Sequence, residues 1–99
     1  MAQFDLFWNP AESAWLIDIQ HDILDGLSTR LVVPLVPAVN PPHQIGRLNP
    51  LVHVNGEPHV LLTDLMSAVP LALLGPSHSN LAADRDAIIA AVDMLVTGI

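Results

Sequence analysis

"LVHVNGEPHVLLT", residues 51–63, decides how the rest of the chain is read. Two short apolar runs flank Asn55-Gly56, and Asn-Gly is the pair that best tolerates the two positive-φ positions of a tight hairpin turn. The segment therefore predicts strand, turn, strand.

The chain before it keeps the same character. In "QFDLFW", residues 3–8, Phe4, Leu6 and Trp8 alternate with Gln3, Asp5 and Phe7; in "AWLIDIQ", residues 14–20, Trp15, Ile17 and Ile19 alternate with Leu16, Asp18 and Gln20. A repeat of two suits half-buried strands, and Asn9-Pro10 marks a turn between them, so the two are expected to pair as a hairpin. Asp25-Gly26 is a second turn signal. "TRLVVPLV", residues 29–36, predicts a third strand; Pro34 has no ladder donor and argues for an edge, a bulge or a strand end. Pro37, Pro41, Pro42 and Pro50 exclude a regular helix or a central strand over residues 37–50 and predict a long ordered loop.

Beyond the hairpin, "DLMSAVPLALLGP", residues 64–76, predicts an irregular step over residues 67–70 and then an apolar strand ending at Gly75-Pro76. From Asn80 the period changes: Leu81, Ile88, Val92, Leu95 and Ile99 recur at steps of three, four or seven in an alanine-rich segment, which predicts a helix. Ser79 or Asn80 is expected to cap it, Asp84 and Asp86 suit its positive end, and Gly98 suits the left-handed position past its last turn. Ile88, Val92 and Leu95 are expected to face the core. The expected fold is mainly β, with antiparallel sheets and one C-terminal α-helix, in a single domain over residues 1–99.

Composition narrows the function classes. Apolar residues make up 52% of the 99 and charged residues 13%, more apolar material than so small an interior needs, so part of it is expected to be covered by a partner and a homodimer is the default. Ten acidic residues face three arginines and no lysine, which disfavours direct binding to nucleic acid or an anionic membrane. No cysteine is present, excluding disulfides, thiol nucleophiles and thiolate metal sites. No apolar run reaches the ~18 residues of a membrane span. Asp5, Glu12 and Asp18 fall where a signal peptide would be basic and then apolar, so a cytoplasmic protein is expected.

Little in the sequence points to covalent chemistry. His53 and His59 flank the Asn55-Gly56 turn, yet no carboxylates are placed to complete a metal site, and none is expected. His21, Asp22 and Asp25 crowd one turn near Ser28, which solvated turn polarity explains better than a hydrolytic site. No phosphate-binding, dinucleotide-binding, zinc-protease or nucleophile-elbow motif occurs. One feature stands apart: the apolar helix runs into Thr97-Gly98-Ile99, where an exposed apolar residue is either docked at home or offered to a partner.

The segments "QFDLF", "DIQHDILD" followed by "TRLVVPL", "PLVHVNGE", "TDLMSAVP" and the final "GI" after an apolar helix occur in one order across nearly the whole chain. Jointly they resemble the CcdB family of toxins. The resemblance implies a homodimer of SH3-like barrels, a fold shared with messenger-RNA-cleaving toxins, that binds the DNA gyrase A subunit and traps the gyrase-cleaved DNA. It implies no covalent step by the toxin and no cofactor. It also implies a CcdA-like antitoxin, whose flexible segment neutralises the toxin and which supplies the DNA contact when the complex represses its own transcription.

Carried over by position, Gly98 and Ile99 match the family's terminal pair, Asp93 and Val96 match helix-end positions of the gyrase-binding surface, and Ile23 and Leu24 match the apolar pair between two aspartates beside it. The family's usual aromatic pair is replaced by Val96 and Thr97, with Thr97 retained as part of the expected surface. Two alternatives stay open: an endoribonuclease of the same fold, which would need a basic groove and an acid–base pair, and an inactive relative that only binds antitoxin. The helix face and the segment before Gly75 are both eligible as the dimer face.

Overall fold

The computed structural model describes residues 2–38 and 46–99. Among them, seven strands run β1 (Asp5–Asn9), β2 (Ala14–Asp18), β3 (Thr29–Pro37), β4 (Leu51–Val54), β5 (Glu57–Leu61), β6 (Ser67–Pro70) and β7 (Ser79–Asn80), followed by one helix, α1 (Arg85–Thr97). All the pairings are antiparallel; the order across the sheet is β4-β5-β3-β2-β1-β7, with β6 also pairing β3. The sheet curls into an open barrel of the SH3-like kind.

The 51–63 stretch folds as read. Asn55 and Gly56 have φ of +53° and +80°, both positive as a two-residue hairpin turn requires. Val54 faces Glu57 and Val52 faces His59 across it. β1 and β2 likewise form the expected hairpin, with Leu6 opposite Ile17 and Trp8 opposite Trp15. The two indoles meet edge to face at 5.1 Å, and the His78 ring meets Trp15 at 4.9 Å.

Pro34 departs from expectation, because it lies inside β3, the most heavily paired strand. The reason is geometric. Residues Leu35–Pro37 pair with β5, whereas Thr29–Val32 pair with β6, so the outer side of β3 changes partner at residues 33 and 34. In an antiparallel strand a residue's N–H and C=O point to the same side, and the Pro34 carbonyl accepts from the Leu62 N–H at 2.9 Å at this changeover. Its missing donor falls in the gap between the two partners.

Other boundaries also move. Ser67–Pro70, expected to be irregular, is β6, and the expected strand after it begins as a 3₁₀ turn over Leu71–Leu73. Asn80 belongs to β7; its side-chain oxygen accepts from the Ala82 N–H at 2.8 Å, opening a 3₁₀ turn over Ala82–Asp84 rather than the α-helix itself, which begins at Arg85. Of the expected 37–50 loop, residues 39–45 lie outside the described residues.

Ile88 and Ala91 of α1 share one core cluster with Phe4, just before β1, and with Leu6, Ile17, Val33, Leu35, Val52 and Leu61 from the sheet. β2 is covered on both sides: Leu16 and Asp18 are buried as well as Ile17. The half-buried reading of β2 is therefore corrected, and Asp18 explains why. Its Oδ2 accepts from Arg30 Nε at 2.8 Å and lies 2.6 Å from Arg30 Nη2, while Oδ1 accepts from the Gln20 N–H at 2.9 Å. Both members of this ion pair are buried.

Candidate functional site

The end of α1 is built to be exposed and ordered together. Burial falls along the helix, from Ile88 and Ala91 inside to Leu95 at 39%, Val96 at 72% and Ile99 at 78% exposure. Leu95, expected to face the core, is thus corrected: the seven-residue step from Ile88 keeps it on the same side, but the helix has run past the sheet by then.

Hydrogen bonds fix this end. Gly98 adopts φ +79°, as expected for a left-handed cap, and its N–H donates to the Met94 carbonyl at 2.9 Å. The Thr97 hydroxyl donates to the Asp93 carbonyl at 2.7 Å and accepts from the Ile99 N–H at 3.4 Å. Thr97 therefore ties the final residue to the helix through Asp93 and Ile99.

Ile23 and Leu24 occupy a 3₁₀ turn over Asp22–Leu24, with Ile23 82% exposed. Three side chains hold that turn. His21 Nδ1 accepts from the Ile23 N–H at 3.0 Å, Asp22 Oδ1 accepts from the Gln3 N–H at 2.7 Å, and Gln20 Nε2 donates to the Leu24 carbonyl at 2.9 Å. His21 and Asp22, weighed above as part of a hydrolytic cluster, are engaged in shaping the turn. Leu27, half-exposed just beyond, extends the apolar patch and was not singled out by its sequence context.

Within one chain these two patches sit on separate elements. α1 packs on the barrel core and lies near the 3₁₀ turn Thr63–Leu65, whereas the Ile23 turn is tied to Gln3 and Gln20. His53 and His59 also part company: His53 pairs with Pro58 and His59 with Val52, which puts the two imidazoles on opposite faces of the sheet.

All three arginines are described. Arg30 is buried against Asp18, Arg85 lies 3.5 Å from Asp86, and Arg47 is exposed. No helix among the described residues is long and apolar enough to cross a membrane.

A small curled antiparallel barrel with one helix at its C-terminal end, and an ordered apolar helix terminus left outside, has the architecture of a barrel-fold toxin. The family model for the CcdB protein matches residues 3–98, and the chain belongs to the CcdB family. It is accordingly a toxin of a toxin–antitoxin system.

Proposed function

We propose that this toxin acts by binding the DNA gyrase A subunit and trapping the complex in which gyrase has cleaved DNA. The observation that carries the reading is the exposure of apolar side chains at Ile23, Val96 and Ile99, on backbone held by the hydrogen bonds of the Ile23 turn and the Gly98 cap. Apolar groups left in water on a backbone already shaped by such bonds suit a partner surface. The proposed surface comprises Ile23, Leu24, Asp93, Val96, Thr97, Gly98 and Ile99.

The working unit is a homodimer of single-domain subunits, which brings two copies of each patch to one target. The toxin itself makes and breaks no covalent bond. A CcdA-like antitoxin neutralises it in the cytoplasm by covering apolar surface with a segment that orders on binding.

The charge distribution favours this reading over RNA cleavage. With Arg30 enclosed by Asp18 and Arg85 beside Asp86, two of the three arginines already face carboxylates, and a groove that holds RNA phosphates needs several free cations.

The test is titration of purified gyrase A subunit with the intact protein and with Ile23→Ser and Val96→Ser. The intact protein binds, and each variant, folded as judged by circular dichroism, binds at least about tenfold more weakly, as loss of an interface anchor predicts. Equal binding by both variants would place the gyrase contact elsewhere.

A further inference from the structure

The Asn55-Gly56 turn carries chemistry that its place in the hairpin does not use. Asparagine deamidates when the backbone nitrogen of the next residue attacks its side-chain amide carbon, and glycine in that next position has no Cβ to crowd the attack. The chain has five asparagines, and four are protected. Asn9, Asn40 and Asn49 each precede proline, whose nitrogen has no proton to lose. Asn80 precedes Leu81, which is buried and whose N–H donates to the Phe4 carbonyl at 2.8 Å. The Asn80 amide is held as well: Nδ2 donates to the Gln3 carbonyl at 2.9 Å and to Asp5 Oδ1 at 3.0 Å, and Oδ1 accepts from the Ala82 N–H.

Asn55 has none of these restraints. Both turn residues are exposed, the Asn55 side chain makes no hydrogen bond among the described residues, and nothing lies within 4 Å of where a Gly56 Cβ would stand. The turn itself is the one barrier. With φ of +53° and +80° it is of type I′, in which an Asn55 ψ of roughly +30° directs the Gly56 nitrogen away from the Asn55 side chain. Ring closure therefore waits for the turn to open. Among the described residues β4 is an edge strand paired with β5 alone, so the tip can open without unfolding the barrel.

We propose that Asn55 is a site of spontaneous deamidation, gated by opening of the hairpin tip. The Gly56 nitrogen gives its proton to solvent base and bonds to Asn55 Cγ; the side-chain nitrogen takes a proton from water and leaves as ammonia, and a cyclic imide remains. Water then adds to either imide carbonyl and breaks its bond to the Gly56 nitrogen, which regains a proton. Attack at Cγ gives aspartate on the original backbone; attack at the α-carbonyl gives isoaspartate, whose backbone runs through the former side chain. Both products place a new carboxylate beside Glu57, and isoaspartate adds a backbone carbon to a turn whose register needs two residues. Val54, 3% exposed and part of the core cluster, faces Glu57 across that turn, so the isoaspartyl protein frays from its tip inward.

The experiment is incubation of the full chain in mildly alkaline buffer, followed by ion exchange and tandem mass spectrometry. The expected result is an acidic species that grows with time and faster at higher pH, with the mass gain of an amide turned acid at Asn55 and at no other asparagine. Asn55→Gly, which suits the same turn, abolishes it. Urea sufficient to unfold the chain accelerates it, because the gate is then gone. In the separated isoaspartyl form the Glu57 amide exchanges hydrogen faster than in the intact protein. Asp25-Gly26 does not confuse the reading, since closing the same ring there expels water and reopening restores mass and charge. No conversion of the folded protein over a time in which a free peptide of residues 51–63 converts fully would overturn the proposal. So would equal conversion at Asn80, a rate unchanged by unfolding, or unaltered Glu57 exchange in the isoaspartyl form.

Discussion

Asp18→Asn isolates the charge at the centre of the barrel from everything else about the side chain. Asparagine has nearly the same volume, and its oxygen can still accept from the Gln20 N–H that Asp18 Oδ1 holds at 2.9 Å. What disappears is the anion opposite Arg30, whose Nε and Nη2 sit 2.8 and 2.6 Å from Asp18 Oδ2. Asp18 and Arg30 are 0% and 1% exposed, so water cannot replace the lost partner without opening the sheet. Breaking a buried pair from one side costs about 3–5 kcal/mol, a large part of the ~5–15 kcal/mol that holds a domain folded. For a chain of this size, that lowers Tm by at least ~12 °C.

The assay is urea unfolding followed by the fluorescence of Trp8 and Trp15, at fixed protein concentration because oligomerisation shifts apparent stability. Asp18→Asn combined with Arg30→Met removes both charges and recovers much of the loss, because an apolar replacement of a whole buried pair is often neutral or better. A loss below about 1 kcal/mol for the single variant would refute the reasoning, since that is the scale of an exposed pair. A double variant that costs the sum of the two singles would refute it equally.

Three further outcomes follow from α1, two at its end and one in its buried part. Thr97→Trp places an aromatic group beside Val96 and, on the proposed gyrase contact, is expected to strengthen binding by roughly thirtyfold, the equivalent of an anchor of about 2 kcal/mol; calorimetry with the gyrase A subunit checks it, and weaker binding would show that the Thr97 hydroxyl bridging Asp93 and Ile99 matters more. Gly98→Ala, at φ +79°, costs about 1–2 kcal/mol locally, read as faster hydrogen exchange at the Gly98 and Ile99 amides with little change in global unfolding. Ile88→Ala, fully buried, lowers global stability by about 2–5 kcal/mol, measured by urea unfolding.

What the sequence disclosed, and what it hid, follows the range of the forces involved. The Asn55-Gly56 hairpin and the Gly98 cap were legible because each rests on a backbone conformation that one or two adjacent residues determine. The β1–β2 pairing was legible because two strand-like runs flank the Asn9-Pro10 turn signal, although the repeat of two did not mark which side chains are buried: Phe7, Leu16 and Asp18 are buried and Trp8 is 41% exposed. Pro34 was misread because its tolerance in β3 depends on β5 and β6 exchanging places beside it, an event set by residues about thirty positions away. The start of α1 was displaced because Asn80 does cap a turn, but one whose strand partner, Asp5, lies at the other end of the chain. Asp18 fell on the polar side of the β2 repeat, and nothing near it in sequence pointed to Arg30, twelve residues on, as its buried partner. Of the candidate site, the exposed helix end could be suspected from its composition, whereas the contacts that fix the Ile23 turn from a distance, the Gln3 N–H to Asp22 and the Gln20 side chain to the Leu24 carbonyl, carried no local signal.

The most direct test of the central claim is a gyrase cleavage assay on supercoiled DNA, comparing the intact toxin with a variant lacking Gly98 and Ile99. The account predicts that the intact protein accumulates trapped double-strand breaks and that the truncated protein, folded and equally soluble, does not. No breaks from well-folded intact toxin, or undiminished breaks from the truncated form, would contradict it.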